Sequence, residues 1–208
     1  MQLLKIITLS LLTICIFSQF AYAKNNNVYF GLGYGNTNYQ GNTLNDDSLE
    51  SGAKLTKSST MYQVYGGYQI IKDSLAVEVS YLDLGSVNET FDLNPDLVFF
   101  DSPNNTLSLK GRGLTIAPVL QCKWFDKLSL FGLLGFSVLD VEKVFSGGFS
   151  ESSSDIKDNY STVEVNMFGG IGSEVYLLEN TSFRMQWQRF QMAETTVDTL
   201  FGQIAVYF

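Results

Sequence analysis

The stretch Thr199-Leu200-Phe201-Gly202-Gln203-Ile204-Ala205-Val206-Tyr207-Phe208 ends the sequence on an aromatic residue. In a strand, its even-numbered residues share one face, which is apolar apart from Gly202, and its odd-numbered residues share the other. Soluble domains seldom end on a strand of this kind without a polar tail. A barrel closed inside a membrane does so, because its last strand pairs with its first and leaves no edge.

Seven earlier segments of roughly ten residues repeat the same period-two pattern. They cover residues 28–39, 60–70, 75–84, 107–121, 127–140, 162–178 and 182–190. Short turns follow the second, fourth and sixth segments, whereas long polar stretches (40–58, 85–106 and 141–161) follow the first, third and fifth. The sequence therefore predicts an all-β fold, an eight-stranded antiparallel up-and-down transmembrane β-barrel with short periplasmic turns and three long extracellular loops.

The second and third segments predict a specific register. If Ile70 pairs with Leu75 across a two-residue turn at 72–73, every apolar position on one face meets an apolar position. On the other face Gly67 then meets Glu78. A slip of one residue would mix the two faces, so we expect this pairing.

The fourth segment is the least regular. Strict alternation places Lys110 and Arg112 on the lipid-facing side. Either these two side chains lie above the hydrocarbon, or a bulge near 111–113 resets the face. Pro118 has no backbone N–H to donate to a neighbouring strand, so we expect it near the lower end of the strand or at another bulge.

Residues 1–23 are predicted to form a cleaved secretory signal peptide, which leaves residues 24–208 as the barrel domain. Lys5 precedes an apolar core at 6–17, and Ala21-Tyr22-Ala23 is a small-x-small cleavage motif. An uncleaved membrane helix is the alternative, but the run falls short of the roughly 18–20 residues that a span needs. Only Cys122 remains after cleavage, so an intramolecular disulfide is excluded, and we expect this thiol to be a small buried apolar group.

The charge balance is acidic. The whole chain carries 13 basic and 21 acidic residues, and Lys5 is the only charged residue in the leader, so 12 basic residues remain against 21 acidic. A nucleic-acid partner is not expected. Acidic loops that face water, a divalent cation or a basic partner fit better. The loop acids lack calcium-loop spacing, so we predict no metal site. They are Asp46, Asp47, Glu50, Asp92, Asp96 and Asp101.

The chain contains no histidine. A Ser-His-Asp triad, a histidine general base and a zinc site with imidazole ligands are therefore excluded. The Gly-x-Gly runs at 31–35 and 170–172 lie inside strands rather than at a strand-to-helix turn, so they predict small inward residues and not a phosphate site. We expect no enzymatic activity and no cofactor.

Four charged residues are predicted to point into the barrel. Because eight strands leave an interior just wide enough for side chains, and buried charges must be paired, we favour a polar network that fills the lumen over a lined pore. Glu174 and Arg184 face each other across the tight sixth-to-seventh hairpin and should pair. The four residues are Glu78, Glu164, Glu174 and Arg184.

Outward aromatic residues are predicted to form two interfacial girdles. Tyr68, Trp124 and Phe183 would lie near the lower interface, and Tyr62 and Tyr81 near the upper one.

Several pieces of the chain resemble one family. They are Val28-Tyr29-Phe30-Gly31-Leu32-Gly33-Tyr34-Gly35, Gly170-Ile171-Gly172-Ser173-Glu174-Val175-Tyr176 and the terminal Phe208. These pieces are similar to the small eight-stranded outer-membrane barrels, which include the OmpA transmembrane domain, OmpX and the opacity-type proteins. The chain lacks the soluble peptidoglycan-binding domain of full-length OmpA, so cell-wall anchoring does not carry over.

The resemblance implies a monomer in the cell outer membrane of a Gram-negative bacterium, in contact with the lipid bilayer and lipopolysaccharide. It implies a structural or surface-interaction role through the long loops, with a host or surface partner. It also implies that Phe208 belongs to a signal read by the outer-membrane assembly machinery. Barrel enzymes of similar size that act on lipids use a histidine that this chain lacks. A small channel and a soluble periplasmic ligand-binding barrel remain as alternatives.

Overall fold

The computed structural model describes residues 27–42, 54–91, 105–147, 156–192 and 195–208, which form eight β-strands. The strands are β1 Val28–Asn42, β2 Lys54–Ile71, β3 Leu75–Phe91, β4 Asn105–Phe125, β5 Leu128–Gly147, β6 Ile156–Leu178, β7 Thr181–Met192 and β8 Thr195–Tyr207. Each strand pairs antiparallel with its neighbours in sequence, and β8 pairs with β1 to close the barrel. The predicted eight-stranded barrel is confirmed. The predicted leader lies outside the described residues.

Burial follows the alternation in the sequence. Along β7, buried residues alternate with more exposed ones from Thr181 to Met192. The outer surface carries large exposed apolar side chains such as Leu32, Leu134 and Ile171. Lipid covers such a surface in a membrane barrel, where the strands satisfy their backbone groups by pairing with each other around the wall. No helix among the described residues is long and apolar enough to cross a membrane.

The strands are staggered by ten residues around the barrel. A path that starts at Lys123 on β4 and steps from each residue to its ladder partner on the next strand goes once around the barrel. It returns to β4 at Gly113, ten residues from its start. The positions passed on the way are Ser129, Glu174, Arg184, Gln203, Gly33, Gln63 and Leu82. A stagger of this size tilts the strands steeply and leaves a lumen that side chains can fill.

Each hairpin at the end that carries the short turns contains one unpaired residue. These residues are Ile70, Trp124 and Leu177. The predicted Gly67–Glu78 pairing is confirmed, but the pairing of Ile70 with Leu75 is wrong, because Ile71 takes that place. The turn spans three residues, with Asp73 at a φ of 57°. Aspartate tolerates this left-handed conformation, which favours a three-residue loop followed by a bulge.

The irregular fourth segment forms one continuous strand. Its pairing with β5 is in register at 110–112, where Arg112 lies opposite Asp140 and its side chain is exposed. The register shift in this region occurs in the β3–β4 ladder, and the extra residue lies on β3, where Gly85 has a φ of 75°. Of the two alternatives, the structure therefore does not show the bulge on β4 at 111–113, and Arg112 lies beyond Leu114, the last outward apolar residue of β4. Pro118 causes a gap in the β4–β5 ladder without a register shift, so it lies neither at the strand end nor at a bulge.

The strands are longer than the sequence pattern predicts. β6 pairs with β5 as far as its first residue, Ile156, but with β7 only as far as Phe168. β3 pairs with β2 only as far as Asp83, yet it continues alongside β4 to Phe91. A four-stranded sheet of β3, β4, β5 and β6 therefore projects beyond the closed barrel at the end opposite the short turns. We call this sheet the projecting sheet and this end the loop end.

Candidate functional site: the packed lumen and the loop end

Arg184 lies at the centre of a charged cluster in the half of the lumen nearer the short turns. Its Nη1 lies 2.5 Å from Glu78 Oε1, across the barrel on β3, and its Nε lies 3.3 Å from Glu174 Oε1 on β6. The side chain is only 1% exposed. A buried guanidinium is stable only when its charge is paired, and the two carboxylates supply that charge, with one hydrogen bond from Nη1 to Glu78.

The two carboxylates accept further hydrogen bonds. Neutral donors surround the two carboxylates. Their hydrogen bonds stabilise the second negative charge of the cluster, which has one cation for two carboxylates. The donors are Tyr29 to Glu78 (2.7 Å), and Tyr207 (2.5 Å), Ser182 and Gln121 (3.0 Å) to Glu174. The cluster thus connects five strands, β1, β3, β6, β7 and β8, with β4 joining through Gln121.

Three aromatic rings surround the guanidinium, and each lies over a glycine on a neighbouring strand. The Arg184 Cζ lies 4.9–5.5 Å from the ring centroids, within cation–π distance. A Cβ added at each of the three glycines would overlap the ring above it. The pairs are Tyr29 with Gly67, Tyr65 with Gly31, and Phe131 with Gly172. The Gly-x-Gly runs therefore make room for the rings that hold Arg184.

Replacing Gly31 with alanine is expected to lower the free energy of unfolding by about 1–3 kcal/mol, because the methyl group must displace the Tyr65 ring. Urea titration of the protein folded in phospholipid vesicles measures this. Gly132→Ala is the matched control, since Gly132 is also within a strand and a Cβ there would meet only one atom at 3.9 Å. Equal stability of the two variants would contradict the packing argument.

A neutral polar layer lies above the charged cluster. Gln203 Nε2 donates to Gln63 Oε1 at 2.8 Å, and Gln63 Nε2 donates to Ser80 Oγ at 2.8 Å. Ser80 Oγ lies 2.6 Å from Thr115 Oγ1. Gln63 and Gln203 reach each other because Gly33 is the residue between them in the ladder. A chain of side-chain hydrogen bonds therefore crosses four strands at this level.

An apolar layer fills the lumen towards the loop end. Phe168 and Phe190 stack with ring centroids 4.9 Å apart. The other buried apolar side chains of this layer include Tyr39, Leu82, Leu84, Leu109, Leu139, Val141, Met192 and Val197. The sequence predicted a polar network in the lumen and did not indicate this apolar layer. The buried side chains of the lumen therefore include the charged cluster towards the short turns and this apolar layer towards the loop end.

Glu164 lies apart from the Arg184 cluster. It is ten positions along β6 from Glu174, which corresponds to about 33 Å of strand. It pairs across from Leu139, and it accepts a hydrogen bond from Asn166 Nδ2 at 3.2 Å. The expectation that Glu164 shares one network with the other three charged residues is therefore wrong, because the strand carries it towards the loop end.

The five girdle residues all lie on the outer surface. Their exposures range from 38% for Phe183 to 64% for Trp124. The Tyr62 ring packs against Tyr34 at 5.3 Å, next to the first polar positions of the wall. The remaining girdle residues are Tyr68 and Tyr81. Cys122 is also exposed on this surface, which overturns the expectation of a buried thiol, because alternation along β4 turns Gln121 inward instead.

Ion pairs end the apolar surface at the loop end. Arg112 pairs with Asp140 at 3.2 Å, and Arg189 binds Asp198 through two contacts of 2.7 and 2.8 Å. Above them Lys57 pairs with Glu89 at 3.0 Å. The acids considered for calcium, at 46, 47, 50, 92, 96 and 101, lie outside the described residues.

The sequence predicted that Glu174 lies opposite Arg184, but it did not indicate the tyrosine donors and the rings that surround this pair. The tyrosine donors Tyr29 and Tyr207 lie at inward-facing positions of β1 and β8, which the period-two alternation of the sequence could predict. Their convergence on Arg184 was not readable, because it depends on the stagger at which the barrel closes.

A closed antiparallel barrel with an apolar outer surface, exposed aromatic residues and polar side chains inside defines the class of bacterial outer-membrane β-barrels. In that class the short turns lie in the periplasm and the longer loops are extracellular. The chain belongs to the family of OmpA-like transmembrane domains, whose family model matches residues 23–198. The protein is an outer-membrane protein.

Solved structures share this fold at low sequence identity. Ail, the attachment invasion locus protein of Yersinia pestis, superposes with a TM-score of 0.54 at 16% identity, covering 88% of this chain and 98% of that one. Neisserial surface protein A gives 0.52 at 12% identity, with coverages of 87% and 97%. OprG from Pseudomonas aeruginosa gives 0.50 at 17% identity, with coverages of 88% and 96%. No curated protein matches the chain by sequence.

Proposed function

We propose that this protein is a surface-interaction protein, in which a packed barrel anchors an extracellular contact surface. The observation that carries the proposal is the projecting sheet, which extends β3, β4, β5 and β6 beyond the closed barrel. A protein that served only as a membrane-spanning wall would need no such extension. The packed lumen supports a structural anchor and counts against an open diffusion pore.

The charge of the loop end favours a basic partner. Residues 43–53, 92–104 and 148–155, which connect the strands at this end, contain eight carboxylates and no lysine or arginine. Ail has been solved in complex with the heparin analogue sucrose octasulfate. A sulfated ligand of that kind suits this chain poorly, because three basic side chains at its loop end are already held in ion pairs. Electrostatic complementarity instead attracts a partner with positive charge.

A non-enzymatic role is part of the proposal. The chain has no histidine, and the buried carboxylates Glu78 and Glu174 are held by Arg184 and by neutral donors rather than open to a substrate. We further propose that the protein acts as a monomer in contact with lipopolysaccharide. The outward ion pairs at the upper end of the apolar surface lie where lipid headgroups begin.

Cells of a non-adherent bacterial host that display the protein are expected to bind immobilised polylysine and basic host-surface proteins better than cells without it. A variant with the eight connecting carboxylates changed to Asn or Gln should lose most of this binding, and salt should weaken it. Retained cells are counted after washing, and surface display is equalised by antibody labelling. Equal adhesion by the neutralised variant, or stronger binding to heparin than to polylysine, would refute the proposal.

A further inference from the structure

A cavity of about 550 Å³ opens at the end of the barrel that carries the short turns. Its volume is within the range of small-molecule sites, which is roughly 300–1,000 Å³. Tyr176 and Tyr207 line it from the side of the lumen. Tyr207 donates to Glu174, and Tyr176 accepts a hydrogen bond from Gln121 at 3.3 Å. The charged cluster around Arg184 therefore fixes the floor of this cavity, which we call the turn-end cavity.

Charged side chains of both signs line the turn-end cavity. Three lysines and three carboxylates contribute to it, and none of the six makes an ion pair with a described residue. Lysine and aspartate are adjacent in sequence at 72–73 and at 126–127, yet they do not pair with each other. Each charge is therefore available to a ligand group of opposite sign. The six residues are Lys72, Asp73, Lys123, Asp126, Lys127 and Glu179.

Gln69 gives the cavity a buried polar group without a partner. The residue lines the cavity and is only 4% exposed. Its backbone N–H donates to Asn27 O at 2.7 Å, but its side-chain carboxamide forms no hydrogen bond with any residue that the structure describes. A buried amide without a partner is costly, so a ligand that supplies a donor and an acceptor gains by pairing with it. A peptide bond supplies both groups.

We infer that the turn-end cavity binds a short peptide that carries both free amino and free carboxylate groups. A ligand with charges of only one sign would meet as many like charges as opposite charges around the cavity. A ligand with both signs directs its carboxylates at the lysines and its ammonium groups at the acids. Its peptide bonds pair with the Gln69 carboxamide.

This site is separate from the proposed surface-interaction role, because it lies at the opposite end of the barrel from the loop end. In outer-membrane barrels the short turns face the periplasm. The peptide therefore reaches the cavity from the periplasm and does not cross the lumen.

Titration with the tripeptide Glu-Gly-Lys, whose two ends are free, tests the inference. In micelles of an uncharged maltoside detergent, NMR should show saturable shifts of the Gln69 side-chain amide and of the backbone amides at 72 and 123. Two capped forms of the peptide are the matched controls. Acetylation of both amines leaves only carboxylates, and amidation of both carboxylates leaves only ammonium groups. Each capped form should bind at least about tenfold more weakly. An absence of saturable shifts, or equal affinity of either capped form, would overturn the inference.

Variants of the six charged residues should reverse this preference for the uncapped peptide. K72Q/K123Q/K127Q keeps only the acids, so it should bind the amidated peptide more tightly than the free one. D73N/D126N/E179Q keeps only the lysines, so it should prefer the acetylated peptide. A purely structural role of these residues would not reverse the preference. The same order of affinities in both variants as in the wild type would refute the assignment.

Gln69→Leu removes the unpaired carboxamide and should weaken binding of the free tripeptide by about tenfold. Gln191→Leu, at an exposed position near the other end of β7, is the matched control and should bind like the wild type. The shift in gel mobility on heating verifies that both variants are folded. Equal affinity of Q69L and Q191L would contradict the role of Gln69.

The rival occupant is the chain's own segment 24–26, which precedes Asn27 and contains one lysine and two asparagines. Deleting these three residues and repeating the titration distinguishes the two occupants. Affinity for the tripeptide should stay within about twofold of the wild-type value. Binding that appears only after the deletion would assign the cavity to this segment and would overturn the inference.

Discussion

Replacing Arg184 with methionine is expected to lower the free energy of unfolding by about 3–5 kcal/mol. The variant keeps an unbranched apolar stem at this position but leaves Glu78 and Glu174 buried without a cation. Both carboxylates are less than a tenth exposed, so water cannot replace the lost charge. The three rings that contact the guanidinium also lose their cation.

The triple variant E78Q/E174Q/R184M is the control for this prediction. It removes both uncompensated charges, and neutral replacements of buried ion pairs are often no less stable than the pairs themselves. It should therefore recover most of the loss seen in R184M. Urea titration in phospholipid vesicles, with the shift in gel mobility on heating as a second measure of folding, gives both values. A triple variant as unstable as R184M would show that the rings and not the charges dominate.

Deleting Phe208 is expected to reduce folded protein in the outer membrane more than deleting any one connecting segment at the loop end. Phe208 N–H donates to Val28 O at 2.8 Å, and its ring lies 6.2 Å from that of Phe30. These contacts join the last residue to the start of β1, but one hydrogen bond contributes only about 1 kcal/mol. A large loss in cells would therefore come from recognition by the assembly machinery and not from barrel stability.

The amount of protein that shifts in mobility on heating, measured in unboiled membrane samples, tests the role of Phe208. The purified deletion variant should refold in detergent nearly as well as the wild type, which separates assembly from stability. Phe208→Tyr keeps an aromatic ring and should assemble normally. Wild-type levels of folded protein in cells after the deletion would refute the prediction.

Much of the wall was predictable because one physical rule acts on every residue of it. Lipid outside and a narrow lumen inside impose a period of two, so the strand sequence, the faces and the Gly67–Glu78 pairing could be read directly. Beyond the membrane both faces of a strand meet water, and the apolar alternation that marks a strand disappears. The sequence therefore predicted β6 to begin at 162, whereas it begins at Ile156.

The charged cluster around Arg184 was less predictable than the wall, because it depends on the stagger at which the barrel closes. Glu174 and Arg184 are neighbours across a two-residue turn, so local pairing places them together. Glu78 reaches Arg184 across the lumen from a strand 106 positions away, and only the ten-residue stagger brings the two to one level. The unpaired Ile70 lies beside a three-residue turn in which Asp73 has a left-handed backbone, and the apolar alternation of the sequence marks neither feature.

The length of β6 has a mechanical consequence. Its 23 residues, tilted in the wall, extend for roughly 55 Å along the barrel axis, nearly twice the thickness of a hydrocarbon core. The part that stands above the lipid and the part that crosses it are one continuous strand. A pull on the upper part acts along the strand, so the hydrogen bonds to β5 share the force and must fail together rather than one after another. In the proposed surface-interaction role, such a strand would transmit a pull on the cell surface without the barrel being drawn from the membrane.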